Sequence, residues 1–190
     1  MSLRFLPAAG RHPSPWKNGG GSTTEIAVFP AAAGLDDFDW RVSMAEVAAS
    51  GPFSAFEGID RTLCLLSGAG VTLRVGDREV GLGAASHVCR FPGDVATASE
   101  LHDGPIADLN VMSRRGRFTH CLERFRLVGR AELASAPFTL VMAREGGLHV
   151  ASGAVELVLA AGDAALLEGA PGRITAPAPA EAFVVRFDRA

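Results

Sequence analysis

Short runs of alternating apolar and polar residues, each closed by glycine or proline, constrain this chain more than any other feature. Phe38, Trp40, Val42 and Met44 alternate with Asp39, Arg41, Ser43 and Ala45, the period of a strand with two unlike faces. Thr62 to Leu66, Val71 to Val75, Glu79 to Leu82, His87 to Phe91 and Ile106 to Met112 follow, short and rich in β-formers. Phe138 to Met142, Val155 to Leu159, Ala164 to Leu167 and Phe183 to Phe187 continue the series. Gly76-Asp77, between two such runs, is a hairpin signal. Only Met44 to Ala49 and Ala131 to Ala136 offer weak helical patterns. Many short strands with Gly/Pro turns predict an all-β sandwich, barrel or jelly roll. Ser67-Gly68-Ala69-Gly70-Val71-Thr72-Leu73 is echoed by Ser152-Gly153-Ala154-Val155-Glu156-Leu157, and each stretch is followed by Gly-Asp. The echo predicts two related barrel halves, an N-terminal one over 1–115 and a C-terminal one over 116–190.

Composition narrows the function. A net charge of −3 supplies no basic field for nucleic acid, so Arg114-Arg115-Gly116-Arg117 reads as a solvated turn. No run approaches the roughly 18 apolar residues of a membrane span. Met1-Ser2-Leu3-Arg4-Phe5 has no apolar signal core, and Cys64, Cys89 and Cys121 have no paired spacing. Free thiols, a cytoplasmic setting, and neither membrane nor nucleic acid as partner are therefore expected.

Chemistry is expected on the polar strand faces. Asp108, Asn110 and Met112 share one face, as do Arg41 and Ser43, and Thr23 and Glu25. Such faces usually meet water. Asp-x-Asn-x-Met, however, ends on an apolar residue, which favours an inward face lining a ligand. A buried polar group without a partner costs about 1–3 kcal/mol. Arg41 can pair with Glu25 or Asp108, leaving Asn110, Ser43 and Thr23 for a ligand. Lys17, the only lysine, stands in Trp16-Lys17-Asn18-Gly19-Gly20-Gly21, where a compact charge and an amide could serve a site. It precedes its glycines, so this is no phosphate loop. No His-x-His occurs, His87-x-Cys89 offers only two donors, and no Gly-x-Ser-x-Gly elbow is present. No metal and no cofactor is expected.

These residues fall in blocks that resemble the HutD/Ves family of small bacterial bicupins. The blocks are Trp16 to Ile26, Phe38 to Ala45, Gly51 to Gly58 running on into Arg61 to Leu66, Phe91 to Asp94, and Gly104 to Arg114, in that order. Glu57 stands where the family usually has proline, in a turn. The second half matches only in general style. The resemblance implies two fused jelly-roll (cupin) barrels, no catalytic metal, and a modulating role associated in many relatives with histidine utilisation. A stress-related role is the other association.

Residues and resemblance together give the reading of a metal-free bicupin that binds a small carboxylate such as urocanate or formylglutamate and modulates a catabolic pathway. Arg41 supplies the bidentate fork. Asn18, Thr23, Ser43 and Asn110 supply neutral hydrogen bonds. Glu25 or Asp108 holds Arg41, Phe53, Phe56 and Met112 form the apolar wall, and Lys17 adds charge at the rim. A homodimer is compatible with all of this. The rival readings are a metal-independent isomerase or hydrolase, with Glu25 or Asp108 as base, and an interaction module with a vestigial pocket. Elemental analysis of the purified protein is expected to find no stoichiometric zinc, iron, nickel or manganese. About one equivalent held by His87 or Cys89 would overturn that expectation.

Overall fold

The computed structural model describes residues 2–84 and 87–190; Met1, Ala85 and Ser86 lie outside the described residues. The chain is all-β and cupin-like. Its strands begin β1 (Ser2–Leu6), β2 (Ser14–Pro15), β3 (Gly21–Phe29), β4 (Trp40–Val47), β5 (Gly51–Pro52) and β6 (Ile59–Ser67). Then come β7 (Val71–Val75), β8 (Arg78–Leu82), β9 (Val88–Pro92), β10 (Thr97–Leu101) and β11 (Ile106–Arg114). The last are β12 (Phe118–Leu133), β13 (Phe138–Ala143), β14 (Leu148–Ser152), β15 (Val155–Leu159), β16 (Ala164–Glu168) and β17 (Gly172–Arg189). Neither helical candidate forms a helix. Met44 to Val47 completes β4, which is bonded to β3 and β11 along its length. Ala131 to Leu133 ends β12, paired with β17. Ladders on both sides take up the β4 backbone groups, while β12, an edge strand, bonds β17 on one side and turns its other groups outward. No helix among the described residues is long and apolar enough to cross a membrane.

Residues 12–117 form one compact unit of two antiparallel sheets. One runs β2-β3-β4-β11-β6-β9 and the other β5-β10-β7-β8. Ala45, Val47, Leu63, Leu65 and Ile106 of the first meet Val71, Leu73, Val75 and Leu82 of the second in a shared core. The alternation that predicted the strands is what places these side chains on facing surfaces.

Residues 2–11 belong with Phe118–Ala190. Sequence order assigned them to the leading half, but β1 pairs with β16, from Ser2 opposite Glu168 to Leu6 opposite Ala164. Leu3 is thereby packed on the core of Val141, Ala165, Leu167 and Val184. This unit's seven-stranded sheet, β1-β16-β13-β17-β14-β15 with β12 on β17, is a nearly closed barrel. Closure spares most of its strands an exposed edge.

The internal echo does not hold in the structure as the letters align it. Ser67 to Gly70 crosses from one sheet to another, whereas Ser152 to Val155 is a hairpin turn. The matching objects are the hairpins β7–β8 and β14–β15, with Val75 opposite Arg78 and Ser152 opposite Val155. Gly76 and Gly153 hold the same turn position at φ 54° and 57°, a region glycine enters without strain.

All three cysteines are free; Cys64 and Cys89 are buried and Cys121 is exposed. Burial pushes the Cys89 thiol up in pKa, against a smaller opposing effect of Arg78. A thiol reagent is therefore expected to modify Cys121 alone in the native protein and all three after denaturation, read by intact mass. Native modification of Cys64 or Cys89 at the same rate would contradict the burial.

Candidate functional site

The inner face of the six-stranded sheet carries a polar cluster inside an otherwise apolar core. Register sets it out in rows. Asp108 of β11 stands between Ala45 of β4 and Leu65 of β6, Asn110 between Ser43 and Leu63, and Met112 between Arg41 and Arg61. Two arginines thus flank one methionine across three strands, with their Cα atoms about 10 Å apart. Trp40, Val42, Leu109 and Val111 take the opposite face, and all are fully buried.

Arg41 donates through Nε to Glu25 at 2.9 Å and through Nη1 to Ser43 at a long 3.5 Å. Glu25, not Asp108, is therefore its carboxylate. Asp108 instead feels Arg61, which the sequence reading did not assign to the site. Arg61 is only 6% exposed, and its guanidinium lies 5.3, 5.4 and 5.1 Å from the ring centres of Phe53, Phe56 and Phe91. Each such contact is worth about 0.5–2 kcal/mol to a desolvated cation. Nη1 donates to the Ser54 carbonyl at 3.2 Å, while Nε has no hydrogen-bond partner among the described residues. Burial lowers the Arg61 pKa to about 10, with Asp108 opposing and Arg41 adding to the fall, so it stays charged at neutral pH. Gly93 lets this happen: a Cβ there would sit 3.2 Å from the Arg61 stem and 2.9 Å from the Ile59 carbonyl.

Asp108 Oδ1, Asn110 Oδ1 and Arg61 Nε are buried without hydrogen-bond partners among the described residues. A carboxyl and a guanidinium that influence each other without closing a salt bridge leave room for a polar guest between them. Burial pushes the Asp108 carboxyl up to about 7, and the Arg61 charge only partly offsets it. Met112 closes the far end with Phe38, Ile59 and Phe56.

Near the other end, Trp16, Asn18, Phe53 and Ser99 border a recess of about 120 Å³. Its wall is a turn built by the glycine-rich motif. Asn18 Oδ1 accepts from the Gly20 N–H at 3.0 Å, and the Trp16 indole donates to Thr23 Oγ1 at 2.8 Å. Gly21 has no room for a Cβ, which would lie 2.2 Å from the Glu46 carbonyl. Asn18 and Thr23 thus have local partners, and Lys17 is exposed on the turn, away from the arginine rows. Glu25, Arg41, Ser43, Phe53, Phe56, Asp108, Asn110 and Met112 are gathered on or around the inner face.

Arg61 was within reach of sequence reasoning. It opens the alternation Arg61, Leu63, Leu65, which puts a charge on a core face. Three of the quoted blocks, Gly51 to Gly58, Arg61 to Leu66 and Phe91 to Asp94, supply the arginine and everything that grips it. Among the described residues no three His, Cys, Asp or Glu side chains group as a metal would need. His102 bonds to Thr72 and His149 to Glu156, both on exposed surfaces.

A cupin-like all-β fold with charged and neutral polar groups buried in one unit defines the class. The sequence matches the HutD family over residues 8–185, and the chain belongs to that family. It is 37% identical to the protein Ves of Citrobacter koseri over 149 residues, 75% of this chain and 69% of that one. A crystal structure of a conserved protein of unknown function from Pseudomonas aeruginosa PAO1 superposes with a TM-score of 0.92 at 36% identity, covering 99% of this chain and 100% of the other. HutD from Pseudomonas fluorescens SBW25, solved in a formate condition, gives 0.83 at 28% identity, with 100% of both chains covered.

The Asp108 pKa has a consequence for stability. Unfolded, the group titrates near about 3.9. Between that value and about 7 the folded chain holds a proton that the unfolded chain releases, so stability falls as pH rises through this window. Asp108→Asn removes this contribution. Relative to the parent, the variant is expected to gain about 2 kcal/mol in unfolding free energy between pH 5 and pH 8, measured by urea titration. Parallel pH profiles for the two proteins would show that Asp108 is not the titrating group.

Proposed function

We propose that this protein is a metal-free bicupin that holds a small carboxylate metabolite on the inner face of its His12–Arg117 unit and modulates a catabolic pathway. The observation that carries the reading is the unpartnered set of Asp108 Oδ1, Asn110 Oδ1 and Arg61 Nε beside Arg41. Buried polar atoms without partners are rare, and a bound guest is one ordinary way of satisfying them. A carboxylate between Arg41 and Arg61 would meet two guanidiniums, the groups whose planar donors match it best. Asn110 and Ser43 would bond its neutral end, Met112 would lie beneath it, and a protonated Asp108 would donate rather than repel. Asn18 and Phe53 would line the entrance, with Lys17 near it as a steering charge. The association of HutD relatives with histidine utilisation makes urocanate and formylglutamate the first ligands to try. A cytoplasmic setting, in which the three thiols stay reduced, belongs to the same reading.

One observation favours a second reading. A carboxyl held near neutrality by burial is what general acid–base catalysis requires, and Asp108 meets that condition. Product formed by the parent but not by Asp108→Asn, followed by proton NMR with saturating urocanate or formylglutamate, would favour an enzyme.

The binding reading is tested by calorimetry with urocanate, formylglutamate and formate. Arg41→Lys and Arg61→Lys keep the charge and lose the fork. Each is expected to weaken the best ligand roughly tenfold or more; the thermal midpoint stays close to the parent's in Arg41→Lys and falls in Arg61→Lys, which loses its contacts with three rings. Unchanged affinity in both variants would exclude the inner face as the carboxylate site.

A further inference from the structure

A second pocket, of about 190 Å³, lies in the other unit, where β12, β13 and β17 run side by side. Register builds it. Arg186 of β17 stands opposite Cys121 of β12 on one side and Thr139 of β13 on the other, so the three side chains form one row. In the next row Val184 stands between Glu123 and Val141. Val184 and Val141 belong to the buried core of this unit, so the rows share its inner face at their Val141 and Thr139 ends, while Cys121, Glu123 and Arg186 are exposed. Phe125 adds an apolar wall.

The polar groups of this pocket are incompletely matched. Thr139 is 2% exposed, and its Oγ1 has no hydrogen-bond partner among the described residues. Arg186 spends Nε on Asp188 at 2.9 Å, and its terminal nitrogens make no ion pair among the described residues. Glu123 has no basic side chain within 4.0 Å among the described residues, whereas Glu132, also on the lining, pairs with Arg130. The pocket therefore offers one uncompensated carboxylate, one guanidinium with free donors and one hydroxyl at a buried floor. A net anion would be repelled by Glu123, and a simple cation would leave the unspent terminal donors of Arg186 without an acceptor; a molecule carrying both charges a short distance apart satisfies both.

We propose that the barrel formed by residues 2–11 and 118–190 binds a small zwitterionic α-amino acid at this pocket. Its ammonium lies against Glu123, its carboxylate on Arg186, and a hydrogen-bonding side chain reaches past Val184 to Thr139. The site is independent of the carboxylate reading above and shares no residue with it.

Cys121 makes the proposal measurable. It is the exposed thiol on the rim, while Cys64 and Cys89 are buried, so iodoacetamide acting on the native protein reports on this pocket. Its Sγ lies 4.0 Å from Glu123 Oε1, a carboxylate that affects basal reactivity, so protection is read as a ratio within each variant. The probes are serine, threonine, glutamine and valine, with acetate and methylamine as single-charge controls. Serine, threonine or glutamine is expected to slow alkylation roughly tenfold at saturation, with valine weaker and the controls inert. Arg186→Gln and Glu123→Gln change exposed side chains and are expected to abolish protection without moving the thermal midpoint, while Arg41→Lys leaves protection intact. The proposal is overturned if no amino acid slows alkylation, if acetate or methylamine protects equally well, or if protection persists in Arg186→Gln.

Discussion

Strand β11 is hydrogen-bonded to β4 on one edge and to β6 on the other along nearly its whole length, and the inner face takes its chemistry from that double ladder. Because side chains alternate with a period of two, a slip of one residue would turn Asp108, Asn110 and Met112 outward and bring Leu109 and Val111 in. The charges of the inner face and the apolar packing of the outer face are therefore one commitment, made by backbone pairing. A register irregularity between Ala107 and Asp108, facing β6, is the one break in the pairing, and it falls beside the buried carboxyl.

Holding Arg61 in such a place is costly, since a desolvated cation loses its water shell. The surroundings offset part of that loss with quadrupoles and not with a counter-ion. Three rings and one carbonyl take positions that water would otherwise fill, and no carboxylate among the described residues closes on the guanidinium. A salt bridge at this point would be more stable and would leave nothing to attract an anion. The same logic accounts for Asp108: a carboxyl kept near its neutral form stays in the core without cancelling the arginines.

Much of the architecture was legible in the sequence because strand alternation is a local signal. The runs from Phe38 onward appear as strands, and Arg41, Ser43, Asp108 and Asn110 share a face as i, i+2 spacing requires. What stayed hidden depends on distance along the chain. That Arg41 takes Glu25 while Asp108 faces Arg61 is decided by which strands become neighbours, and spacing within one strand carries no such information. Arg61 itself went unassigned because the rings that hold it come from separate segments. Asn18 and Thr23 read as ligand donors; what the sequence hides is that a turn and an indole already use one acceptor oxygen of each. The displaced echo has a similar cause: matching letters around Gly68 and Gly153 drew the alignment away from the hairpins that correspond.

Pairing of β1 with β16 brings residues 2–6 against residues 164–168, so a strand that precedes the His12–Arg117 unit completes a sheet whose other members all follow that unit. A loop that long closes late, because its entropy must be met before any of its contacts form. During synthesis the His12–Arg117 unit has all of its strands available well before β16 exists, and the N-terminal strand waits beyond it for a partner. A change within β1 therefore acts first on the barrel that residues 118–190 complete, and leaves the unit that follows β1 in sequence to fold undisturbed.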